Sequence, residues 1–428
     1  MMAAWRLLPT AWLSLLCLVL LSACGERSTA RGPVTLVFKH QRIFGGVDPV
    51  PGLLREFEAA HLGVRVRSEA LPASSDEAHQ LYVVNLEGRS AGFDVMMLDV
   101  IWVPEFARAG WLLDLSSRVR RDDLAAYFPS AAAASTWSGR VWALPWNMNV
   151  GLLYYRADLL ARYHLDPPQT WDDLVAQVDR IRAGERDRRL EGYVWQGKQY
   201  EGMMVNVLEA LWASGTDLLG GDERVFPDPE RATEALAFLR RLIERGVSPR
   251  WTTAADEELS RRAFGDGHAI FLRNWPYVLD LLEAPDSPVR GRVGIAPLPG
   301  RTRETAGRGS TGGSHLGVAR HTAHPEEALA LARFLTGERA QRALLAGTLY
   351  PTLMALYRDP LLLKDHPSLP RIHDLMLSGR PRPVTPNYLL LSTTLQPDFS
   401  AVIVGLKSPA QAIREAGRRL DYFLASRR

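Results

Sequence analysis

Residues 92–116, reading GFDVMMLDVIWVPEFARAGWLLDLS, constrain the fold of this chain more than any other stretch. Residues 93–98 are almost continuously apolar and the run stops on Asp99, the pattern of a strand covered on both faces in a parallel α/β sheet. Open sheets of that kind take ligands at the carboxyl ends of their strands, so Asp99 stands where a ligand would be met. With Trp102 three residues on, the segment pairs a hydroxyl-accepting carboxylate with an apolar ring that can lie on the C–H face of a sugar. The competing expectation is that Asp99 merely caps a helix beginning near Val103 or Pro104.

The N-terminus reads as an export signal. Arg6 supplies a positive start, residues 13–21 form an apolar core too short for a spanning helix, and Leu21-Ser22-Ala23-Cys24 matches a bacterial lipobox. Residues 1–23 are therefore expected to be removed, Cys24 to be lipidated, and residues 24–33 to tether the protein to a membrane surface. Cys17 lies in the discarded core, so the mature chain holds a single Cys and no internal disulfide.

About four hundred residues remain, more than one hydrophobic core usually supports, and two domains are expected. The formal net charge is +3 and the arginines are scattered, without the stripe that tracks a phosphate backbone, which argues against nucleic acid as a partner. Strands and helices alternate. Residues 34–39 read as a strand, 50–61 as a helix, 64–70 as a strand and 76–87 as a helix leading to the 93–98 strand, a βαβαβ start. A helix is expected over 122–134, strands over 141–145 and 150–155, and a helix over 171–183 capped by Thr170. Residues 293–296 and 315–319 read as late strands, and the chain is mostly helical from Pro325 on.

The resemblance to a family emerges from several motifs in order. WALP at 142–145 followed by GLLYYRADLL at 151–160 is similar to the first inter-lobe crossing of the extracellular solute-binding proteins that serve bacterial carbohydrate ABC importers. PPQTWDDL at 167–174, GYVWQGKQYEG at 192–202, RNWPY at 273–277, ALALARFLTGERA at 328–340 and the closing helix at 409–423 extend the match, with the middle motifs closest to the trehalose/maltose-binding branch. The resemblance implies a two-lobed, periplasmic-binding-protein-like (type II) fold with a cleft between discontinuous lobes. Lobe 1 is expected at 34–144 plus 291–350, and lobe 2 at 145–290 plus 351–428. It further implies a non-enzymatic monomer without cofactor or metal, which closes on a sugar and delivers it to ABC permease subunits.

Carried over residue by residue, the resemblance makes Asp99 a sugar-hydroxyl acceptor and Trp275 and Tyr277 stacking residues. Asn147 and Asn149 stand where the branch has an aromatic and an acid. Gly313 and Ser314 fall in a Gly-Gly-Trp motif whose indole is replaced here, and Arg382 matches a sugar-contacting arginine, although an Arg among prolines also fits a solvated loop. The loop 40–48 lacks the branch's acid, with Gln41, Arg42 or Asp48 as substitutes, and the arginine expected near His79 and Gln80 is absent. These departures point to a disaccharide-sized glucoside, trehalose or maltose first, without fixing its identity.

Rival chemistries are weaker. Gly307-x-Gly309-x-x-Gly312 has dinucleotide-like spacing but precedes a strand rather than a helix, and Leu316 occupies the second glycine position of a nucleophile elbow at Ser314. The histidines lack metal-ligand spacing such as HExxH. A sugar-cleaving enzyme would need a carboxylate pair, for which Asp99 with Glu201 or Glu209 are the candidates. A surface lipoprotein that senses sugar would share the same cleft residues.

Overall fold

The computed structural model describes residues 33–43, 47–88, 92–221 and 223–425; the expected leader and Cys24 lie outside them. The chain opens as anticipated, with β1 (Val34–His40), a helix over Val50–Ala60, β2 (Val64–Ala70), a helix over Ser75–Glu87 and β3 (Val95–Asp99). β1 pairs in parallel with both β2 and β3. Phe93 and Asp94 lead into β3 rather than belonging to it, and the buried Asp94 carboxylate accepts the Val37 N–H at 2.7 Å.

The remaining strands in chain order are β4 (Thr136–Trp137), β5 (Arg140–Val141), β6 (Ala143–Val150), β7 (Leu152–Arg156), β8 (Glu191–Val194), β9 (Ala269–Asn274), β10 (Val293–Ala296), β11 (Ser310–Val318) and β12 (Arg380–Pro381). The larger sheet runs β12-β11-β3-β1-β2, with β6 also on β11, and the smaller runs β10-β7-β9-β8. Residues 145–150, expected in the second lobe, thus pair within the larger sheet, and residues 293–296, expected in the first, pair within the smaller.

The chain passes from one sheet to the other at Gly151, between β6 and β7, and returns through residues 297–309. These two crossings lie backbone against backbone: Gly151 N–H donates to the Ser310 carbonyl at 2.9 Å, and a Cβ on Gly309 would overlap the Gly151 carbonyl. A Cβ on Gly151 would itself overlap the Glu209 carboxylate and the Arg273 guanidinium, so only glycine fits there.

Two local expectations change. The helix anticipated over 122–134 is split into a 3₁₀ turn at Arg121–Leu124 and a short helix at Pro129–Ala134, because Pro129 has no N–H to continue a helix but suits its first turn. The strand anticipated from 315 begins at Ser310, with Gly312 and Gly313 inside it. Gly313 has φ +120° and a Cβ there would overlap the Asn147 carbonyl, so glycine is required at this point of the strand; the register against β6 shifts just beyond it, between Ser314 and His315, where β6 bulges at Trp146.

Elsewhere local chemistry and fold agree. Thr170 Oγ1 accepts the Asp173 N–H at 3.1 Å while the Asp173 carboxylate accepts the Thr170 N–H at 3.0 Å, a reciprocal capping box that starts the helix Trp171–Glu185. In the second lobe the helix Glu201–Ala213 is buried along its whole length, packed against the helices Pro229–Glu244 and Tyr388–Ile403. It is the spine of that lobe, and it carries two glutamates inward.

Candidate functional site

Asp99 ends β3 facing the second lobe. Its carboxylate accepts Arg382 Nη2 at 2.6 Å and Ser75 Oγ at 3.3 Å. The helix it was alternatively expected to cap, Val103–Arg108, has no side-chain cap, so Asp99 is directed to the guanidinium instead. Arg382 is only 5% exposed, which removes the solvated-loop expectation. Its second terminal nitrogen, Nη1, donates to Glu201 Oε1 at 2.8 Å.

Glu201 is the first residue of the buried helix and arrives from the other lobe. It also accepts Tyr388 O–H at 2.8 Å and Ser392 Oγ at 2.5 Å. Burial pushes the Glu201 carboxyl above its ordinary range, and the Arg382 charge only partly offsets this. Burial alone would lower the Arg382 value, but the Asp99 and Glu201 charges outweigh it and hold the guanidinium firmly protonated. One guanidinium therefore ties β3 of the larger sheet to the spine helix of the second lobe. Gln396 Nε2, one turn beyond Ser392, adds a longer contact to Asp76 Oδ2 at 3.3 Å.

Trp275 follows β9 on the opposite wall and is half-buried. The Arg273 guanidinium lies over its ring, 4.1 Å from the centroid, and Tyr154 O–H donates to its carbonyl at 2.7 Å. The ring also lies against Gly312, whose missing Cβ would sit 3.4 Å from it. Tyr277, half-buried beside Trp275, donates its O–H to Glu258 Oε1 at 2.9 Å. Arg273 is itself 1% exposed and held at both ends of the Glu209 carboxylate, at 2.5 and 2.8 Å. Glu209 Oε1 further accepts the Ser310 N–H at 2.9 Å, on the second crossing.

Asn147 is buried, and its Oδ1 accepts the Ser314 N–H at 3.0 Å, which commits that oxygen to the β6–β11 bulge. Asn149 lies opposite Gly312 and is half-buried. Ser314 lies in register with Asp99, and the Gly313 carbonyl accepts the Val100 N–H at 3.3 Å. Asp99, Arg382, Gly312, Gly313, Ser314 and Asn147 thus meet at one end of the larger sheet, with Trp275 against Gly312 from the other side.

Trp102 does not join them. It is 2% exposed and stacks on Phe106 at 6.1 Å, with His79 and Tyr82 edge-on, so it is a core residue rather than a sugar platform. In the first loop, Asp48 Oδ1 accepts the Val50 N–H at 2.9 Å and Gln41 Nε2 donates to the Pro72 and Ala73 carbonyls, so both serve the backbone. Tyr388, Ser392 and Gln396 were not anticipated. The available signal was their spacing: three polar groups four residues apart on the helix Tyr388–Ile403 form one stripe.

Two α/β lobes joined by crossing strands, with polar side chains of both meeting between them, define a two-lobed binding protein of the periplasmic type II class. The model of the bacterial extracellular solute-binding protein family matches residues 47–342, and the chain belongs to that family. A probable ABC transporter-binding protein of Deinococcus radiodurans is 32% identical, covering 83% of this chain and 86% of its own. Among solved structures, maltose-bound MalE3 of T. maritima is similar with a TM-score of 0.84 and 33% identity, covering 91% of this chain and 100% of that one. The GacH receptor of Streptomyces glaucescens shares the fold at a TM-score of 0.77 and 22% identity, covering 91% and 98%.

Proposed function

We propose that this protein is the lipid-anchored capture component of a carbohydrate ABC importer. It binds a disaccharide-sized sugar, trehalose or maltose first, between its lobes and hands it to permease subunits. The observation that carries the reading is the Asp99–Arg382–Glu201 bridge beside Trp275: a set of hydroxyl acceptors and donors next to a flat ring, contributed by both lobes. The maltose bound to a relative of similar fold and 33% identity supports the sugar class. With the lobes divided by sheet, we take the hinge to run through Gly151 and residues 297–309, with a third passage near Arg380; the strand order supports this division. Rotation about those passages would separate Glu201 from Asp99, so a ligand that touches both walls favours the closed state in proportion to those contacts.

Anchoring through Cys24 rests on the lipobox. The enzyme reading is disfavoured by the carboxylates themselves, since Glu209 is bound at both oxygens by Arg273 while Asp99 and Glu201 share one guanidinium. The test is calorimetry of the purified soluble domain against a panel of mono- and disaccharides, with the sugar recovered afterwards. Saturable heat with unaltered sugar is expected. Release of glucose would make it a hydrolase, and no heat with any sugar would remove carbohydrate from the reading.

A further inference from the structure

Arg382 has a third nitrogen that the inter-lobe bridge does not use. Its Nε is buried and has no hydrogen-bond partner among the described residues, and the same holds for Nδ1 of His315, which is fully buried on β11. Both residues line one small compartment next to the bridge, which Ala131, Ala134, Met148 and Val384 also line together with the polar Ser130, Asn147 and Thr311. Gly312, which carries Trp275 on its surface, lines it too, so the compartment adjoins the proposed sugar site. Its volume is about 20 Å³, room for one water-sized group and not for a sugar ring.

The polarity of this compartment follows from its hydrogen bonds. His315 Nε2 lies 2.8 Å from the Ala131 carbonyl, which can only accept, so Nε2 carries the proton and Nδ1 of the neutral ring presents a lone pair. Arg382 Nε is a donor in every state. One unpartnered buried acceptor and one unpartnered buried donor on residues lining the same compartment match a group that is donor and acceptor together, which is a hydroxyl. Leaving such buried groups without partners is costly, so a ligand that satisfies them is preferred over an analogue that does not.

We propose that His315 and Arg382 Nε form a recognition site for a single hydroxyl of the bound sugar, making His315 a specificity-determining residue. The inference rests on the carbohydrate reading above and deepens it. His315 stands directly after Ser314, where the trehalose/maltose-like motif departs from its pattern, so the departure itself supplies a new reader of the ligand.

The test is a cycle of calorimetric affinities: the wild type, His315→Phe and His315→Gln against the best-binding sugar and its singly deoxygenated analogues. In the wild type one deoxy position should lose about tenfold or more, the scale of a hydrogen bond to a charged or buried group. His315→Phe should lose a similar factor for the parent sugar and show no further loss at that one position. His315→Gln, which can still donate to Ala131 and accept from a hydroxyl, should restore part of the affinity. Equal losses at every position, or none, would overturn the proposal and leave His315 a packing residue. Should His315→Phe fail to fold, a crystal structure of the wild type with sugar decides: a sugar oxygen on Nδ1 supports the proposal, and an ordered water there with all sugar oxygens elsewhere overturns it. A wild type that binds no sugar in the panel overturns the carbohydrate reading as well, which separates the two failures.

Discussion

Two buried arginines, Arg273 and Arg382, are held by carboxylates in nearly the same chemistry, yet they sit in different mechanical settings. Arg273 faces a single carboxylate, Glu209, with a further bond to Gln196 Oε1 in the same lobe, and the ion pair lies beneath Gly151 and supports the crossing through Ser310. Arg382 faces two partners on opposite sides of the cleft and keeps Nε uncommitted. A saturated pair inside one rigid body can only stabilise that body. A pair divided between two bodies changes when they move, and its unused donor is available to a ligand.

The comparison breaks first at the hinge. Glu209→Ala leaves the Arg273 charge buried without its partner and removes the acceptor of Ser310 N–H, and is expected to cost about 3–5 kcal/mol of stability. Denaturant unfolding of the two proteins measures it. Loss of sugar affinity at unchanged stability would mean that Glu209, not Arg382, belongs to the cleft.

Acid sharpens the contrast on the cleft side. Burial lowers the His315 value from 6.5 to about 4, with the Ala131 hydrogen bond opposing weakly, so the native state binds fewer protons than the unfolded chain between those values. Its contribution to stability is therefore complete above pH 6.5 and is lost as pH falls toward 4, amounting to about 3 kcal/mol. Glu201 acts in the opposite sense, since a raised carboxyl value means a contribution present at low pH and lost as pH rises through the native value. Across pH 4–7 the wild type should lose about 3 kcal/mol of unfolding free energy relative to His315→Phe as pH falls, since Phe binds no proton. Parallel curves would show that the ring is solvated rather than buried.

Asp99→Ala is the next smaller effect. Arg382 retains Glu201, so melting temperature should change little, whereas sugar affinity should fall by roughly 1.5–3 kcal/mol, the scale of a charge-assisted hydrogen bond. Intact affinity would reduce Asp99 to an anchor for Arg382.

Much of the scaffold was legible in the sequence, and the reason is locality. An apolar run ending on Asp99, alternation in residues 34–39 and the Thr170–Asp173 cap each depend on neighbours a few residues away. The failures have equally physical causes. Pro129 breaks a periodic segment, two glycines hide the start of a strand, and Trp102 has the same aromatic character whether it faces a ligand or Phe106. The cleft was half visible: Asp99 came from the strand that ends on it and Arg382 from motif likeness, but their contact spans 283 residues of chain and their partnership is not encoded in any local pattern. Asn147 looked like a ligand group because an amide beside a crossing can serve either purpose, and only the geometry shows its oxygen on Ser314 N–H.

Trp275 tests whether the hinge pair and the cleft communicate. The Arg273 guanidinium, which belongs to the hinge pair, lies over its ring, and the Cζ3–Cη2 edge of the ring lies against Gly312, which borders the cleft. Trp275→Ala removes a stacking surface worth about 1 kcal/mol to a sugar face and leaves the Glu209–Arg273 bonds in place. If the ring serves only the ligand, affinity falls by that amount and unfolding is altered by less. If it mainly braces Arg273, stability falls by several kcal/mol while the relative preference among sugars is unchanged. Measuring both quantities on the one variant separates the two roles, because the guanidinium side of the ring acts on folding and the glycine side on recognition.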